Sequence, residues 1–134
     1  MPIEFACYAN PTLLHLRLSG RVTLEDMLDA QKAYASSPDF APGIDELIEF
    51  LPGADLDMTY AEMRRLRRAE EAYYKQAAQP PRCAILAPDS TQFGMGRMYA
   101  TLTDLRGDVR TEVVTTWQEA LAFLELTDIA LTVA

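Results

Sequence analysis

Asp45-Glu46-Leu47-Ile48-Glu49-Phe50-Leu51, followed by Pro52-Gly53-Ala54-Asp55-Leu56-Asp57-Met58 and then by Thr59-Tyr60-Ala61-Glu62 and the run to Tyr74, is the stretch that decides the fold. Leu47, Ile48, Phe50 and Leu51 make an apolar strand, and Thr59 with Glu62 is a T-x-x-E capping box. Beyond the box Met63, Leu66, Ala69, Tyr73 and Ala77 recur at helical spacing. They predict a helix ending near Gln76, with Arg64 and Arg68 on its outer side. Strand chemistry gives way to helix chemistry between Pro52 and Thr59, through a short acidic loop. In an open α/β sheet, turns of this kind form the binding edge.

Upstream, residues 3–8 and 13–19 are predicted strands, and Asn10-Pro11 between them is the turn signal of an antiparallel hairpin. Leu14, Leu16 and Leu18 alternate with His15 and Arg17, so one face is buried and the other carries His15 and Arg17 to the exterior. Thr23 caps a helix that buries Leu24, Met27, Leu28, Gln31 and Tyr34, and Asp26 completes its capping box. Residues 36–44, with Pro38, Pro42 and Gly43, are a linker.

Downstream, Gln79-Pro80-Pro81 stops the second helix, and the small apolar run 83–87 reads as a strand covered on both faces, the centre of the sheet. Ser90 or Thr91 caps a third helix with Phe93, Met95, Met98, Tyr99, Leu102 and Leu105 at its apolar positions. Gly94 and Gly96 weaken that helix, which points to close packing against a neighbouring backbone or ligand. Gly107 ends it, residues 109–114 alternate as a half-exposed strand, and Thr116 with Glu119 caps a last helix over 117–126, before a short apolar tail from Thr127. The order is ββαβαβαβα, an α/β fold with a five-stranded mixed sheet, mostly parallel with one antiparallel edge hairpin.

A chain of 134 residues is expected to form one domain, residues 1–134, with a core that needs no disulfide or metal staple. No apolar run reaches the length of a membrane span, and Met1-Pro2-Ile3-Glu4 does not start a signal peptide, so the expected setting is the cytoplasm of a bacterial-type cell. The net charge of -8 argues against nucleic acid and anionic membranes, whose phosphates need clustered Lys and Arg. Cys7 and Cys83 sit in apolar segments and fit reduced, buried thiols.

No complete catalytic, metal or nucleotide motif is present, and no cofactor is expected. His15, the single histidine, has no Ser, Cys or paired acid placed beside it by the sequence. Asp55 and Asp57 lack the further oxygen donors of a cation loop, and Gly94-Met95-Gly96 lacks the G-x-G-x-x-G pattern. Arg64, Arg65, Arg67 and Arg68 could meet an acidic partner or a phosphate. Glu62, Glu70 and Glu71 interleave them, however, and the Arg67 to Glu71 spacing predicts a salt-laced exposed face. The candidate binding residues are Asp55, Asp57, Thr59, Tyr60, Ser90, Gln92 and Arg97, expected to converge at one edge of the sheet.

The succession of elements, with Leu47-Ile48-Glu49-Phe50 leading to a capped helix and with Phe93-Gly94-Met95-Gly96-Arg97-Met98-Tyr99 later, resembles the SpoIIAA-like or STAS/SEC14-type small bacterial proteins. The resemblance spans Leu14 to Leu124 and its motifs are diffuse, marking a fold more than a reaction. In the anti-sigma-factor antagonists of that superfamily a serine at the start of the helix after the third strand is phosphorylated, and the surface around it binds a partner. The nearest hydroxyl here is Thr59, the Asp-Ser-Ser-Gly signature is absent, and Asp57 already places a negative charge beside the cap. A plain N-cap accounts for Thr59, and the chain looks like the stand-alone branch of the superfamily.

What the resemblance implies is a non-enzymatic binding or regulatory module, acting through a protein partner or as a homodimer by self-association. The alternative is a pocket protein that holds a small apolar or lipid-like ligand, with Met58, Tyr60, Phe93, Met95, Met98 and Tyr99 lining the cavity.

Overall fold

The computed structural model describes residues 2–9 and 12–126. The predicted Asn10-Pro11 turn and the tail from Thr127 lie outside them. Strands β1 (Ile3–Ala9), β2 (Thr12–Leu18), β4 (Asp45–Phe50), β6 (Arg82–Leu86) and β7 (Arg110–Val114) form one sheet in the order β1-β2-β4-β6-β7. Among the described strands only the β1–β2 pair is antiparallel; β2–β4, β4–β6 and β6–β7 are parallel. Helices α1 (Leu24–Ala35), α2 (Tyr60–Tyr74), α3 (Ser90–Asp104) and α4 (Trp117–Leu124) alternate with the parallel strands.

This is the predicted five-stranded mixed sheet, with two differences in its arrangement. The central strand is β4, the strand on which the sequence reading turns, whereas β6 lies one place from the edge. The apolar run of β6 is covered on both faces because helices lie on both sides there, which a second-from-edge strand also experiences. In addition, Asp55 and Asp57 are not in a loop. They belong to β5 (Asp55–Asp57), which pairs in parallel with β3 (Arg21–Thr23) as a separate two-stranded sheet. Its central residues, Val22 and Leu56, are buried against the main core.

Strand alternation distributes the side chains over two layers. One face carries Leu14, Leu18, Phe50, Cys83 and Ile85 against Leu24 and Tyr34 of α1, Met63, Leu66, Tyr73 and Tyr74 of α2, and Tyr99 and Leu102 of α3. The other carries Leu13, Leu47, Ala84, Leu86 and Val114 against Ala120, Leu121 and Leu124 of α4. Among the described residues three helices therefore cover one face and a single short helix covers the other.

Each helix begins with a capping box. Thr23 with Asp26, Thr59 with Glu62 and Thr116 with Glu119 do so as predicted. For α3 the cap is Asp89, not Ser90 or Thr91: its side chain accepts from the Gln92 backbone N–H at 2.8 Å. Carboxylates are strong caps, and Gln92 three residues on returns the bond. Helix α2 stops at Tyr74, two residues short of the predicted end, and α4 stops at Leu124, where Glu125 takes a left-handed backbone at φ 57°. Of the two glycines in α3, Gly96 lies against the sheet: a Cβ there would come within 3.1 Å of Val113 Cγ1 and 3.3 Å of Ile85 Cγ2. Gly94 faces open space.

Candidate ligand pocket

Alternation in β4 puts Glu46 on the same face as Ile48 and Phe50, directed into the layer beneath α1 and α2. It is only 6% exposed. The hydroxyl of Tyr74 donates to this carboxylate, with its oxygen 2.7 Å from Oε2 and 3.0 Å from Oε1. One hydroxyl carries one proton, so a single neutral donor serves two buried acceptors. Burial opposes the charge on Glu46 and pushes its pKa up to about 8; the Tyr74 bond pulls the other way, and nearby Glu70 adds to the rise. At neutral pH the group is mostly the neutral acid.

Glu70 of α2 is a second carboxylate at the same place. Its Oε1 accepts from Arg67 Nη1 at 3.1 Å and from the Tyr99 hydroxyl at 2.5 Å. Burial again raises its pKa, and the bonds from Tyr99 and Arg67 oppose the rise. Arg67 is itself 4% exposed, is bonded through Nη2 to Asp108 at 2.6 Å, and lies 5.7 Å from the centre of the Tyr74 ring. This overturns the expected exposed salt-laced face at this position. Arg67 follows Met63 by four and precedes Tyr74 by seven, which puts it on the inward stripe, and it pairs with Glu70 and Asp108 instead of Glu71. The neighbouring Arg64, Arg65 and Arg68 are exposed.

Glu46 and Glu70 line a cavity of about 50 Å³ between the α1/α2 pair and the sheet. Its walls are largely apolar: Phe5, Leu14, Leu16 and Ile48 from the strands, Met27 and Ala30 from α1. Tyr34, Tyr73, Tyr74 and Gln31 supply the remaining polar atoms. Most of these are already engaged, because the Tyr34 hydroxyl donates to Ala41 O at 3.2 Å and Gln31 Nε2 donates to Ala69 O at 3.2 Å. The buried Tyr73 hydroxyl has no hydrogen-bond partner among the described residues. A space of this size accommodates roughly three to five water-sized groups.

The residues expected to meet at the sheet edge are distributed over three places. Asp55, Asp57, Thr59 and Tyr60 follow one another along β5 and into α2, and Arg21 Nε is paired to Asp57 Oδ2 at 2.6 Å. The Thr59 hydroxyl accepts from Glu62 N at 3.1 Å as the helix cap, and Tyr60 is 51% exposed. Ser90 and Gln92 open α3 nearby, where buried Gln92 donates to the carbonyls of Leu51 and Ala54, both at 3.1 Å. Its amide thus holds the β4–β5 turn against α3. Arg97 stays apart, in a groove beside β7 with Asp104 and Glu112.

The Met/aromatic stripe does not line one cavity either. Met58 and Tyr99 border a second space of about 20 Å³, Phe93 and Met95 are half-buried, and Tyr60 and Met98 are exposed.

On the opposite face His15 is 3% exposed, not at the exterior as alternation with Arg17 predicts. Tyr8 stacks beside its ring, Trp117 lies 6.2 Å away, and Nε2 is 2.9 Å from Glu49 Oε1. Arg17 reaches the same Glu49 oxygen at 3.7 Å and remains half exposed. Cys83 is buried, Cys7 half-buried, and both are free thiols. Among the described residues no three His, Cys, Asp or Glu side chains are grouped to hold a metal ion, and no helix is long and apolar enough to cross a membrane.

The chain is an α/β domain with a SpoIIAA-like fold. It is similar over 91% of its length to the crystal structure of an uncharacterised protein of the DUF3478 family with a SpoIIAA-like fold from Shewanella loihica PV-4. The match covers 91% of that chain as well, at a TM-score of 0.58 and 18% sequence identity. No family model and no curated protein matches the sequence.

Proposed function

We propose that this chain is a non-enzymatic binding module, and that the space between α1, α2 and the sheet holds its ligand: a small molecule with an apolar body and a cationic, proton-donating head. Glu46 carries this reading. A carboxyl group buried among Leu14, Leu16 and Ile48, with one tyrosine as its donor and held mostly as the neutral acid by the lack of a counter-charge, is a costly arrangement for a fold alone. An ammonium or amidinium group would supply the missing donors and the opposing charge together. The Tyr73 hydroxyl, without a partner among the described residues, and the second carboxyl group, Glu70, add polar anchors in the same apolar surround. The reduced Cys7 and Cys83 suit a cytoplasmic setting.

Native mass spectrometry of freshly purified protein is the test. A fixed added mass that disappears on denaturation and is absent from Glu46→Gln protein is the expected result. Bare wild-type protein that also takes up no small amine on addition rejects the pocket.

The opposite face of the sheet supports a second function. Helix α4 packs on β6 and β7, which leaves Arg17 and Glu4 on the β1–β2 side of that face exposed. A protein partner or a second copy of the chain would bind there. Monomeric protein at high concentration, with no change at Arg17 on addition of candidate partners, counts against it.

A further inference from the structure

Helix α2 and the C-terminal end of α3 enclose a groove of about 130 Å³ on the outer surface, lined by Arg64, Arg67, Arg68, Glu71, Leu105 and Arg106. Four of the chain's twelve basic residues therefore gather in one place on a molecule whose net charge is -8. Two of the four are held by carboxylates. Arg106 Nε is 2.9 Å from Glu71 Oε1, and Arg67 is bonded to Glu70 and Asp108. The other two, Arg64 and Arg68, are exposed and have no ion-pair partner among the described residues. They are four residues apart on a helix and so share one face. Arg67, nine-tenths buried at the base of the groove, leaves its Nε without a hydrogen-bond partner among the described residues. Leu105, 75% exposed, gives the rim an apolar surface.

We propose that this groove binds the phosphate group of a small anionic molecule, with Arg64 and Arg68 as its primary contacts and Leu105 against the rest of the ligand. Guanidinium forks match a tetrahedral oxyanion in geometry as well as charge. The size and charge of the molecule choose between sources of phosphate. A nucleic acid or an anionic bilayer extends beyond the groove over a surface that is negative overall, whereas a compact phosphate monoester meets only the local positive field. The site is separate from the cavity at Glu46, which lies on the inner side of α2.

The test is a titration with inorganic phosphate followed by amide chemical shifts, with sodium chloride of matched ionic strength as the reference. Vesicles containing phosphatidic acid, which present the same group on a surface, form the second arm. The expected result is a saturable shift confined to residues around Arg64, Arg68 and Arg106, absent with chloride, and no vesicle binding. The Arg64→Gln/Arg68→Gln variant should bind phosphate about tenfold more weakly, while Arg65→Gln, which alters an exposed arginine outside the groove, should change affinity by less than about twofold. If the double variant does not fold, Arg68→Lys takes its place, since a lysine keeps the charge and loses the fork. Weaker phosphate binding by that variant supports the site. Equal shifts with phosphate and chloride, equal affinity in wild-type and variant protein, or binding to vesicles without binding to phosphate each overturns the proposal.

Discussion

Tyr74 of α2 donates its hydroxyl to the carboxylate of Glu46 in β4, 2.7 Å away, and this bond joins helix to central strand in the middle of the molecule. It is a neutral donor facing a group that burial keeps protonated at neutral pH, with a pKa pushed up to about 8. Because the folded pKa lies above the unfolded one, near 4.5, the native state binds more protons between those values, and stability falls as pH rises through that window. The loss is on the order of 3–5 kcal/mol across the window. Glu46→Gln removes the titration while preserving shape. Urea unfolding from pH 5 to 9 should show wild-type protein losing stability with pH and the variant losing less, the remaining slope coming from Glu70, whose pKa burial also raises, with the variant the more stable of the two above pH 8.

Tyr74→Phe takes away the single donor to Glu46. The carboxyl is then buried with no partner, so its pKa rises further and the protein loses about 1–3 kcal/mol. The loss should be larger at pH 8.5 than at pH 5.5, where the acid is neutral in both proteins. Thermal melts at the two pH values measure the difference.

Arg67 and Arg64, three residues apart on α2, should respond very differently to truncation. Arg67→Ala leaves Glu70 without its guanidinium and Asp108 without its ion pair, at a cost of about 3–5 kcal/mol. Arg64→Ala touches an exposed side chain and should stay within about 0.5 kcal/mol of wild type. Denaturant midpoints of both variants check this.

Gly94 and Gly96 make a matched pair within α3. An alanine at 94 enters open space and should stabilise the helix by up to about 1 kcal/mol. At 96 the added methyl meets Val113 Cγ1 at 3.1 Å and Ile85 Cγ2 at 3.3 Å, so those two side chains must give by a few tenths of an ångström. The propensity gain is offset by overpacking, and Gly96→Ala should be the less stable of the two by more than about 1 kcal/mol.

The elements that can be read from sequence are those set by local chemistry. Thr59 and Glu62 announce α2 because a capping box closes within four residues, and Leu14, Leu16 and Leu18 announce one buried face because a strand repeats every two. Elements that depend on distant partners are less legible. Three residues, Asp55–Asp57, become a strand because Arg21–Thr23 lies beside them. His15 is buried by Tyr8 and Trp117, the latter about a hundred residues downstream.

The pocket lies between these cases. Glu46 alternates in phase with Ile48 and Phe50, and Arg67 and Glu70 fall on the stripe of Met63, Leu66, Tyr73 and Tyr74, so the signal for buried charge is present in the periodicity. It is masked by the default that charged residues face water. Of the residues expected at the sheet edge, Gln92 is tied to that edge by its bonds to Leu51 and Ala54, while Arg97 is turned toward β7.

The most direct measurement is isothermal titration of the protein at pH 7 with propylammonium and, in parallel, with 1-propanol, each in two buffers of different ionisation enthalpy. A cation bound at Glu46 displaces its proton, so the propylammonium heats should differ between buffers by the release of up to about one proton per site. The alcohol should bind more weakly and release none, and Glu46→Gln should abolish the difference between the two. Equal binding of amine and alcohol without proton release, or no binding of either, would contradict a cation site at Glu46.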